Sequence, residues 1–433
     1  MVLSIIYSPA FSLLSEPWLI CFILLFAFRY VRLVVNTVAY LLCKPCQIPD
    51  CPRYTTEDVT VIIPTVEPFG RDFDECIHSV IANRPAKVLV VTVGEEKTRL
   101  AKEFCQEFGL LVEVLSVLKA NKREQTVRAL QEVQTKIVVQ CDDTVFWPKT
   151  LLPWIIAPFE NPDVGIVGTH KRVRRNGGTF GLADFWNLCG VMRLERTNFD
   201  LASTNAIDGG NSCVSGRTCA SRATILKDPE FIHAYTNEYI FGKIGPLNAG
   251  DDKFVTRWMI NHGWKIKHQT CSEARIETNL GIKGGGARFR GQCLRWARTS
   301  ARDNPKMLFV DRKVWMAHRW TTYAILLHSL INFAAIYDPL IVFALYKALQ
   351  NPVICEAFGG IKHSLLFLGL WILAMKLVRP AGHYWRNPKD LRYAPFIILF
   401  GYYHSWIKLY ALFTCWDISW GTRVGVDDKS SKA

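Results

Sequence analysis

The most hydrophobic segments of this chain lie near its two ends. Pro17 to Cys43 is almost wholly apolar, and the hydrocarbon core of a bilayer requires ~20 such residues in a helix. Three more apolar stretches follow Trp320, namely Thr321 to Leu349, Ser364 to Val378 and Ala394 to Thr414. The first segment is too long for a cleaved signal peptide, and no small-residue cleavage site follows it. The pattern predicts a chain anchored in a membrane by both of its end regions.

The middle of the chain, from residue 54 to about residue 300, has a different pattern. Short β-branched runs alternate there with charged, helical stretches. The runs are apolar throughout, as expected for strands covered on both faces, and they comprise Val59 to Pro64, Val88 to Val93, Lys136 to Gln140 and Val164 to Thr169. This alternation predicts an α/β domain with a parallel sheet.

Basic residues between the apolar stretches predict the orientation in the membrane. The loop from Arg379 to Arg392 is rich in Arg and Lys, which favours the cytosolic side. Counting back through two spans places the α/β domain in the cytosol as well. We expect Ala394 to Thr414 to be an interfacial or re-entrant helix, with His404 and Lys408 toward water. The chain then has three full spans, an outside N-terminus and a cytosolic C-terminus.

These patterns divide the chain into four parts. Residues 1–50 form an N-terminal anchor and juxtamembrane segment, and residues 51–282 form the cytosolic α/β domain. Residues 283–318 form interface helices, and residues 319–433 form a C-terminal membrane region.

Charge and cysteine content narrow the class of partner. The 52 Lys and Arg residues exceed the 38 Asp and Glu residues, giving a formal net charge of +14. Such a charge suits a nucleotide diphosphate, an acidic membrane leaflet or nucleic acid. The 14 cysteines are unevenly spaced, which favours reduced cytosolic thiols over a disulfide framework. Cys43, Cys46 and Cys51 lack a fourth zinc ligand nearby, so we interpret them as palmitoylation candidates.

Two pairs of aspartates are candidates for chemistry. Asp142 and Asp143 follow a predicted strand, where a divalent cation and substrate phosphates would stabilise adjacent carboxylates. The alternative is a solvated turn in which Asp142 caps the next helix. Asp251 and Asp252 precede the helical pattern Phe254 to His262. One of them could be a general base for a hydroxyl nucleophile, or could simply cap that helix.

Cationic and aromatic residues supply a second set of candidates. Gln292, Arg295 and Trp296 are spaced to lie on one helix face, where Arg can neutralise a diphosphate and Trp can stack on a sugar. A basic amphipathic helix on anionic lipid is the alternative, and both can hold at once. Thr65 follows the first strand, where open α/β sheets bind ligands. Lys122 could neutralise a phosphate or lie on a solvated basic face.

Taken together and in this order, the pieces resemble the processive family 2 glycosyltransferases, which include hyaluronan, chitin and cellulose synthases. The most specific motifs are Gly250-Asp251-Asp252, Gln292-x-x-Arg295-Trp296 and Trp420-Gly421-Thr422-Arg423. The similarity covers roughly residues 58 to 423 and is greatest to the hyaluronan-synthase-like polysaccharide synthases of fungi.

The resemblance implies a GT-A glycosyltransferase domain in residues 51–282, combined with transmembrane and interfacial helices. It also implies a divalent metal ion (Mn²⁺ or Mg²⁺), a UDP-sugar donor, and inversion at the anomeric carbon. A transmembrane channel would receive the growing β-linked polysaccharide acceptor. We expect contacts with membrane lipids, no nucleic-acid partner, and a plasma-membrane location with the Golgi as the alternative.

Residue roles also follow from the resemblance. Asp252 would be the general base, while Asp143 and Asp142 would bind the metal ion. The donor and its diphosphate would be bound by Thr65, Lys122, Asp142, Gln292, Arg295, Trp296, Trp420, Thr422 and Arg423. The acceptor would be bound by Ser215, Gly216, Asp251 and Trp296. The last three donor residues, Trp420, Thr422 and Arg423, would belong to a cytosolic gate over the nucleotide.

The chain departs from the family pattern in two places. The family has Asp-x-Asp where this chain has Cys141-Asp142-Asp143-Thr144, so either Cys141 replaces the first aspartate or Thr144 replaces the last. Many members also place an aspartate at the end of the second strand, where this chain has Val93-Gly94. Glu95 and Glu96 are the candidates to substitute for it.

Three classes of function remain open: a processive polysaccharide synthase, a non-processive membrane glycosyltransferase that adds one or a few sugars, and a transporter or scaffold. A transporter would have too few spans and would leave the aspartate pairs unexplained. The helix from Gln292 to Trp296 and the C-terminal membrane region favour the processive class.

Overall fold

The computed structural model describes residues 16–175, 180–282 and 284–419. Trp420, Thr422 and Arg423, which the sequence analysis assigned to a gate, lie outside the described residues.

A seven-stranded sheet forms the centre of the α/β domain, with the strand order β3-β2-β1-β4-β8-β6-β9. A smaller sheet has the order β5-β10-β7. The strands are β1 Val59–Pro64, β2 Lys87–Val93, β3 Val112–Val117, β4 Ile137–Cys141, β5 Val145–Phe146, β6 Val164–Thr169, β7 Lys171–Val173, β8 Thr218–Arg222, β9 Lys265–Gln269 and β10 Ile276–Thr278. All four predicted strands are therefore present, with their ends shifted by at most one residue.

The large sheet is mixed rather than parallel, so the prediction of a parallel sheet is wrong for one strand. β8 runs antiparallel to both β4 and β6, while the other neighbouring strands of this sheet are parallel. Two neighbouring strands can be parallel only if the connection between them crosses back to the end of the sheet at which the first strand began. The segment that precedes β8 instead starts this strand at the carboxyl end of β4, where the Arg217 carbonyl accepts from the Asp142 backbone N–H at 2.9 Å.

The helices are α1 Pro17–Leu42, α2 Arg71–Ile81, α3 Gly94–Cys105, α4 Lys122–Leu130, α5 Leu151–Ile156, α6 Leu182–Asp208, α7 Ala223–Leu226, α8 Pro229–Thr236, α9 Asp251–Asn261, α10 Gly285–Pro305, α11 Val314–Ala317, α12 Arg319–Ile331, α13 Ala334–Ala348, α14 Pro352–Ala357, α15 Ile361–Val378, α16 Ala381–Arg386 and α17 Ala394–Leu412. Both faces of the large sheet are covered. Helices α2 and α5 pack on one face, and α4, α8 and α9 pack on the other. This arrangement explains why the strand β1 is buried along its whole length.

Two helices in the described part of the chain, α1 and α15, are long and apolar enough to cross a membrane. Helices α12 and α13 are long and apolar enough to cross a membrane only when they are taken together, and they meet at an angle of 93°. Thr321 to Leu349 is therefore not the continuous span that the sequence predicted. The break lies at Asn332, whose side-chain oxygen accepts a hydrogen bond from Arg29 of α1 at 2.9 Å. Three full spans exist only if the bent pair is one of them.

A buried carboxylate ties the apolar helices together. Asp338 of α13 accepts from Arg29 of α1 at 2.6 Å, from Lys376 of α15 at 2.8 Å and from Tyr402 of α17 at 2.8 Å. Because charged groups in an apolar region are stable only when paired, these contacts fix the register of four helices.

Helix α17 is attached at both ends to elements of the α/β domain and its extension. Just before it, Asp390 pairs with Arg175 at 2.7 Å. Just after it, Asp417 pairs with Arg298 of α10. Its His404 and Lys408 do not point toward open water as the sequence predicted, because both line a cavity between α17 and α10. Packing of α17 along α10 turns its polar face inward.

Candidate active site

A cavity of about 250 Å³ opens where β1 and β4 end. Every described residue to which the resemblance assigned a role lines it: Thr65, Lys122, Asp142, Asp143, Ser215, Gly216, Asp251, Asp252, Gln292, Arg295 and Trp296. The structure thus brings together segments that are far apart in the sequence. Ligands of open α/β sheets bind at this edge, beyond the carboxyl ends of the strands.

The ends of β1 and β4 are joined by a hydrogen bond between side chains. Thr65 Oγ1 donates to Asp143 Oδ2 at 2.8 Å, and both residues are buried. Gln125 of α4 holds the same corner, because its side-chain amide donates to the carbonyl oxygens of Thr65 and Val91 at 3.0 and 2.7 Å. Asp143 is therefore held in a fixed orientation at the cavity wall.

The structure distinguishes Cys141 from the three residues that follow it in the segment that departs from Asp-x-Asp. Cys141 is the last residue of β4, is buried in the core, and does not line the cavity. Asp142, Asp143 and Thr144 all line it. Asp142 caps no helix, since the strand β5 follows it. Neither Glu95 nor Glu96 lines the cavity.

Lys122 bridges two carboxylates from different parts of the fold. Its Nζ lies 2.7 Å from Asp142 Oδ1 and 3.0 Å from Asp251 Oδ2. Burial lowers the pKa of Lys122, but the two carboxylates outweigh burial, so this pKa lies well above its ordinary value. Asn121 caps the helix that begins at Lys122, and Asn248 Oδ1 accepts from the Lys122 backbone N–H at 3.0 Å. The ammonium thus neutralises part of a strongly acidic wall.

Gly216 allows a close approach to this ion pair. A Cβ atom at this position would lie 3.1 Å from Lys122 Nζ and 3.4 Å from Asp251 Oδ2. The segment from Ser215 to Arg217 also joins the β4 end, because the Asp142 backbone N–H donates to the Arg217 carbonyl at 2.9 Å. A larger residue than glycine would crowd the carboxylates.

Asp251 and Asp252 are the first two residues of α9 rather than its cap. Gly250 takes the cap position with φ of +87°, a left-handed conformation that favours glycine. The partial positive charge of a helix N-terminus stabilises carboxylates there. Even so, the pKa of Asp252 is raised by burial and by the charge of Asp251. A carboxylate with a raised pKa is suited to accept a proton.

Helix α10 forms the wall opposite the aspartates. Gln292, Arg295, Trp296 and Thr299 line the cavity, whereas Phe289 and Cys293 of the same helix are buried against apolar side chains of α6 and α17. Burial lowers the pKa of Arg295, and Asp252, Asp251 and Asp142 act against that shift. The guanidinium therefore lies within electrostatic reach of all three carboxylates.

A buried network of charges braces α9 against α10. Glu238 accepts from Arg123 at 2.9 Å, from Arg257 at 2.7 Å and from Lys306 at 3.2 Å. Arg257 also pairs with Asp303 of α10. Burial raises the pKa of Glu238, but the surrounding cations outweigh burial and lower it to about 2. The network fixes the distance between the aspartate helix and the arginine helix.

The cavity contains further polar residues that the sequence analysis did not select: Glu67, Asp72, Arg217, Asn248, Asn279 and Arg288. Asn248 precedes the Gly250-Asp251-Asp252 motif, and its proximity to that motif was an available signal. Asp72 and Asn279 carry no such signal, since they meet only in three dimensions, with Asn279 Nδ2 donating to Asp72 Oδ1 at 3.3 Å.

The donor set of the cavity fits a hard divalent cation. No group of three or more His, Cys, Asp and Glu ligands occurs in residues 16–175, 180–282 and 284–419. Mg²⁺ and similar ions are usually bound by one or two carboxylates together with substrate phosphates and water. Asp142 and Asp143 provide the carboxylate oxygens for such a site, and the cavity provides the space.

A family model described as "Glycosyltransferase like family 2" matches residues 57–299, which is more than half of the 433-residue chain. The chain belongs to glycosyltransferase family 2. It is a glycosyltransferase, and its α/β domain has the GT-A fold.

Relatives support this assignment over nearly the whole length. The chain is 39% identical over 415 residues to a type 2 glycosyltransferase of Zymoseptoria tritici, covering 95% of this chain and 84% of the relative. It is 38% identical over 420 residues to a type 2 glycosyltransferase of Pyricularia oryzae, covering 96% and 84%. The fold is similar to that of a mannosyltransferase from Pyrobaculum calidifontis, solved in complex with GDP-Man and Mn²⁺, with a TM-score of 0.51 and 16% identity over 85% of this chain and 99% of that one.

Proposed function

We propose that this family 2 glycosyltransferase is embedded in a membrane and transfers a sugar, with inversion, from a UDP-sugar to a growing β-linked polysaccharide. The observation that carries the proposal is the convergence of Asp142 and Asp143, Asp252, and the Gln292 to Trp296 helix face on one cavity. Asp142 and Asp143 would provide ligands for a metal ion, and Asp252 would provide a base. The helix face would provide contacts for a diphosphate and a sugar.

The donor diphosphate would lie between the strand ends and α10. Asp142 and Asp143 would hold Mn²⁺ or Mg²⁺, which neutralises charge on the leaving diphosphate when it is bound. Gln292 can donate a hydrogen bond, and Arg295 adds a cation in a partly buried site where its charge is weakly screened. Lys122 already pairs with Asp142 and Asp251, which lowers the repulsion that phosphate oxygens would otherwise meet.

Asp252 would act as the general base. The acceptor hydroxyl gives its proton to the Asp252 carboxylate as its oxygen bonds to the anomeric carbon. The bond between that carbon and the diphosphate oxygen breaks on the opposite face, and the diphosphate leaves with the electron pair. Ser215, Gly216 and Trp296 line the side from which the acceptor would approach, and the Trp296 indole offers a face for sugar stacking.

The membrane part of the proposal rests on α1, α15 and the attachments of α17. The predicted cytosolic loop contacts the α/β domain, since Arg379 pairs with Asp200 at 3.1 Å and Arg386 with Glu195 at 2.6 Å. The end of α17 contacts α10 through Asp417. Both ends of α17 would then lie on the cytosolic side, as an interfacial or re-entrant helix requires. The plasma membrane remains our proposed location.

The proposed gate, Trp420, Thr422 and Arg423, continues from the segment that Arg298 binds. A glycosylation acceptor site added at the C-terminus and expressed in a eukaryotic host tests whether this gate is cytosolic. The tag should remain unmodified, because the gate must be cytosolic to meet the nucleotide. Glycosylation of the tag would remove Arg423 from the donor site.

Purified full-length protein tests the reaction itself. Candidate donors are the common UDP-sugars, with GDP-mannose included because the structurally similar mannosyltransferase of Pyrobaculum calidifontis was solved with it. We expect UDP release with one or two UDP-sugars and a long product on a sizing gel. A product extended by only one or a few sugars would support the non-processive alternative, and release of GDP alone would contradict the choice of donor.

A further inference from the structure

Strands β7 and β10 of the small sheet turn one charged face outward. The two strands are parallel, with Glu277 opposite Arg172. Because side chains alternate between the two faces of a strand, Arg275 and Arg174 lie on the same face as this pair. All four side chains are partly exposed, whereas the residues between them are buried. The outer face of this sheet therefore carries three arginines and one glutamate.

The single glutamate of this face is already engaged. Arg174 pairs with Glu277 at 2.9 Å and with Glu75 at 2.7 Å. Arg172 and Arg275 form no salt bridge with any residue that the structure describes. Two guanidinium groups on one face of the sheet thus lack a counterion from the described chain.

A further arginine adds to the positive charge of this face. Burial, Arg275 and Arg386 of α16 all lower the pKa of Arg172, so the three guanidinium groups repel one another. Glu195 and Glu277 act against that shift, but Glu195 already pairs with Arg386 at 2.6 Å. An anion placed between Arg172 and Arg275 would relieve this repulsion.

The arginines lie beside the end of α1. Tyr40, in the last turn of this helix, stacks on His170 with a distance of 6.3 Å between the ring centres, and His170 immediately precedes β7. Arg275 and Arg386 are within electrostatic reach of both Tyr40 and His170. The basic face is therefore adjacent to the point where the first apolar helix meets the α/β domain.

Exposed apolar side chains lie next to this point in the chain. Leu41 and Leu42, the last two residues of α1, are 75% and 72% exposed, and Trp385, which precedes Arg386, is 90% exposed. Leucine is stable in the hydrocarbon layer, and tryptophan is enriched where hydrocarbon meets headgroups. This distribution is typical of a protein surface that contacts the headgroup layer of a membrane.

We propose that Arg172 and Arg275 bind the phosphate of an anionic phospholipid in the cytosolic leaflet. The proposal rests on the membrane part of the proposed function, because α1 must cross the bilayer for its end to meet that leaflet. Guanidinium groups match phosphate oxygens with paired hydrogen bonds, and anionic lipids attract basic residues close to the cytosolic surface. The exposed apolar side chains favour a lipid over a soluble phosphate as the source of the anion. Neither arginine lines the catalytic cavity.

Calorimetric titration of the purified full-length protein in neutral detergent tests the proposal with three probes. Dihexanoyl phosphatidic acid and dihexanoyl phosphatidylcholine have the same acyl chains and differ in headgroup charge, and inorganic phosphate is the third probe. We expect the phosphatidic acid to bind at least about tenfold more tightly than the phosphatidylcholine, as hydrogen bonds between charged groups imply. Equal affinities for the two lipids would overturn the proposal. Inorganic phosphate that binds as tightly as phosphatidic acid would also overturn it, in favour of a soluble ligand.

Variants locate the preference within the structure. Arg172→Gln and Arg275→Gln should each reduce the preference for phosphatidic acid severalfold, and the double variant should bind the two lipids equally. The matched control is Arg99→Gln, which also removes one positive charge but lies on α3, where Arg99 is exposed and pairs with Glu103 at 2.6 Å. This control should keep the full preference.

An unchanged preference in the double variant would contradict the assignment. An equal loss in Arg99→Gln would also contradict it, because the effect would then come from net charge alone. The titration contains neither donor nor acceptor. UDP release from the donor, measured on the same preparations, therefore reports on the proposed function separately.

Discussion

Trp296 lines both the catalytic cavity and a second cavity, between α17 and α10, and the two cavities differ in charge. On the catalytic side, the ammonium of Lys122 lies between the carboxylates of Asp142 and Asp251. On the other side, Arg193 and Lys408 face aromatic rings, and no acidic residue of the described chain lines the space. Under the proposed function, the acidic side would bind a metal ion and accept a proton. A single indole thus separates an acidic cavity from a basic one.

Local structure explains why the two cavities differ in charge. The acidic residues lie at the end of β4 and at the N-terminus of α9, where the backbone N–H groups of a helix stabilise negative charge. The basic residues lie in the interiors of α6 and α17, where the backbone polar groups are already used within the helix. Cations at such positions have only neighbouring side chains to stabilise them.

The largest expected effect comes from removing the base on the acidic side. Asp252→Asn should slow sugar transfer by about 10²- to 10⁴-fold, since the amide keeps the shape but cannot accept a proton. Donor affinity should remain close to that of the unaltered enzyme. Asp163→Asn is the control, because Asp163 is an exposed aspartate paired with Lys265 at 2.7 Å. Unimpaired transfer by Asp252→Asn would remove this residue from the base role.

Removal of metal ions by chelation tests whether Asp142 and Asp143 bind a metal ion that transfer requires. EDTA should stop transfer and weaken UDP binding, and Mn²⁺ or Mg²⁺ should restore both, because Asp142 and Asp143 need the cation to approach a diphosphate. UDP affinity is measured by calorimetry and transfer by UDP release. Full transfer after exhaustive chelation would instead assign neutralisation of the diphosphate to Arg295 and Lys122.

The charge network around Glu238 should affect both cavities together, since it braces α9 against α10. Glu238→Gln leaves Arg123, Arg257 and Lys306 without their shared carboxylate, and breaking a buried ion pair lowers the free energy of unfolding by about 3 kcal/mol. Thermal unfolding of the detergent-purified protein measures the loss. Glu132→Gln, which removes an exposed pair with Arg128, should have little effect. Equal stability of the two variants would show that the brace is dispensable.

The smallest effect is a shift in pH dependence. Asp251 raises the pKa of Asp252, so Asp251→Asn should lower that pKa. Because the base must be ionised, activity is lost as pH falls through its pKa, and kcat/KM reports this pKa in the free enzyme. The acid limb of the kcat/KM profile should therefore move to lower pH in Asp251→Asn. A limb that moves to higher pH would contradict the electrostatic assignment.

The sequence predicted four of the strands and selected residues that line the larger cavity, because apolar runs and short motifs are recognisable locally. β1, β2, β4 and β6 are mostly apolar runs, and residues of the Gly250-Asp251-Asp252 and Gln292 to Trp296 motifs meet in one cavity. The short strand β8, Thr-Cys-Ala-Ser-Arg, carries no such pattern. Its antiparallel position is set by pairing with strands distant in sequence.

The second cavity could not be predicted for a similar reason. Arg193, Trp296 and Lys408 lie on three separate helices. Arg193 and Lys408 each read in the sequence as an ordinary polar position of an amphipathic helix, and the motif that selects Trp296 does not place it beside them. The break at Asn332 was missed because the apolar run continues across it. At the break, Asn332 accepts a hydrogen bond from Arg29, which is 303 positions away in the chain.

A structure of the purified protein with UDP and Mn²⁺ tests most directly where each substrate binds. The metal ion should lie at Asp142 and Asp143, with the diphosphate contacting Arg295, and the second cavity should contain no nucleotide. A nucleotide bound among Arg193, His404 and Lys408, or a metal ion away from both aspartates, would contradict the proposed donor site.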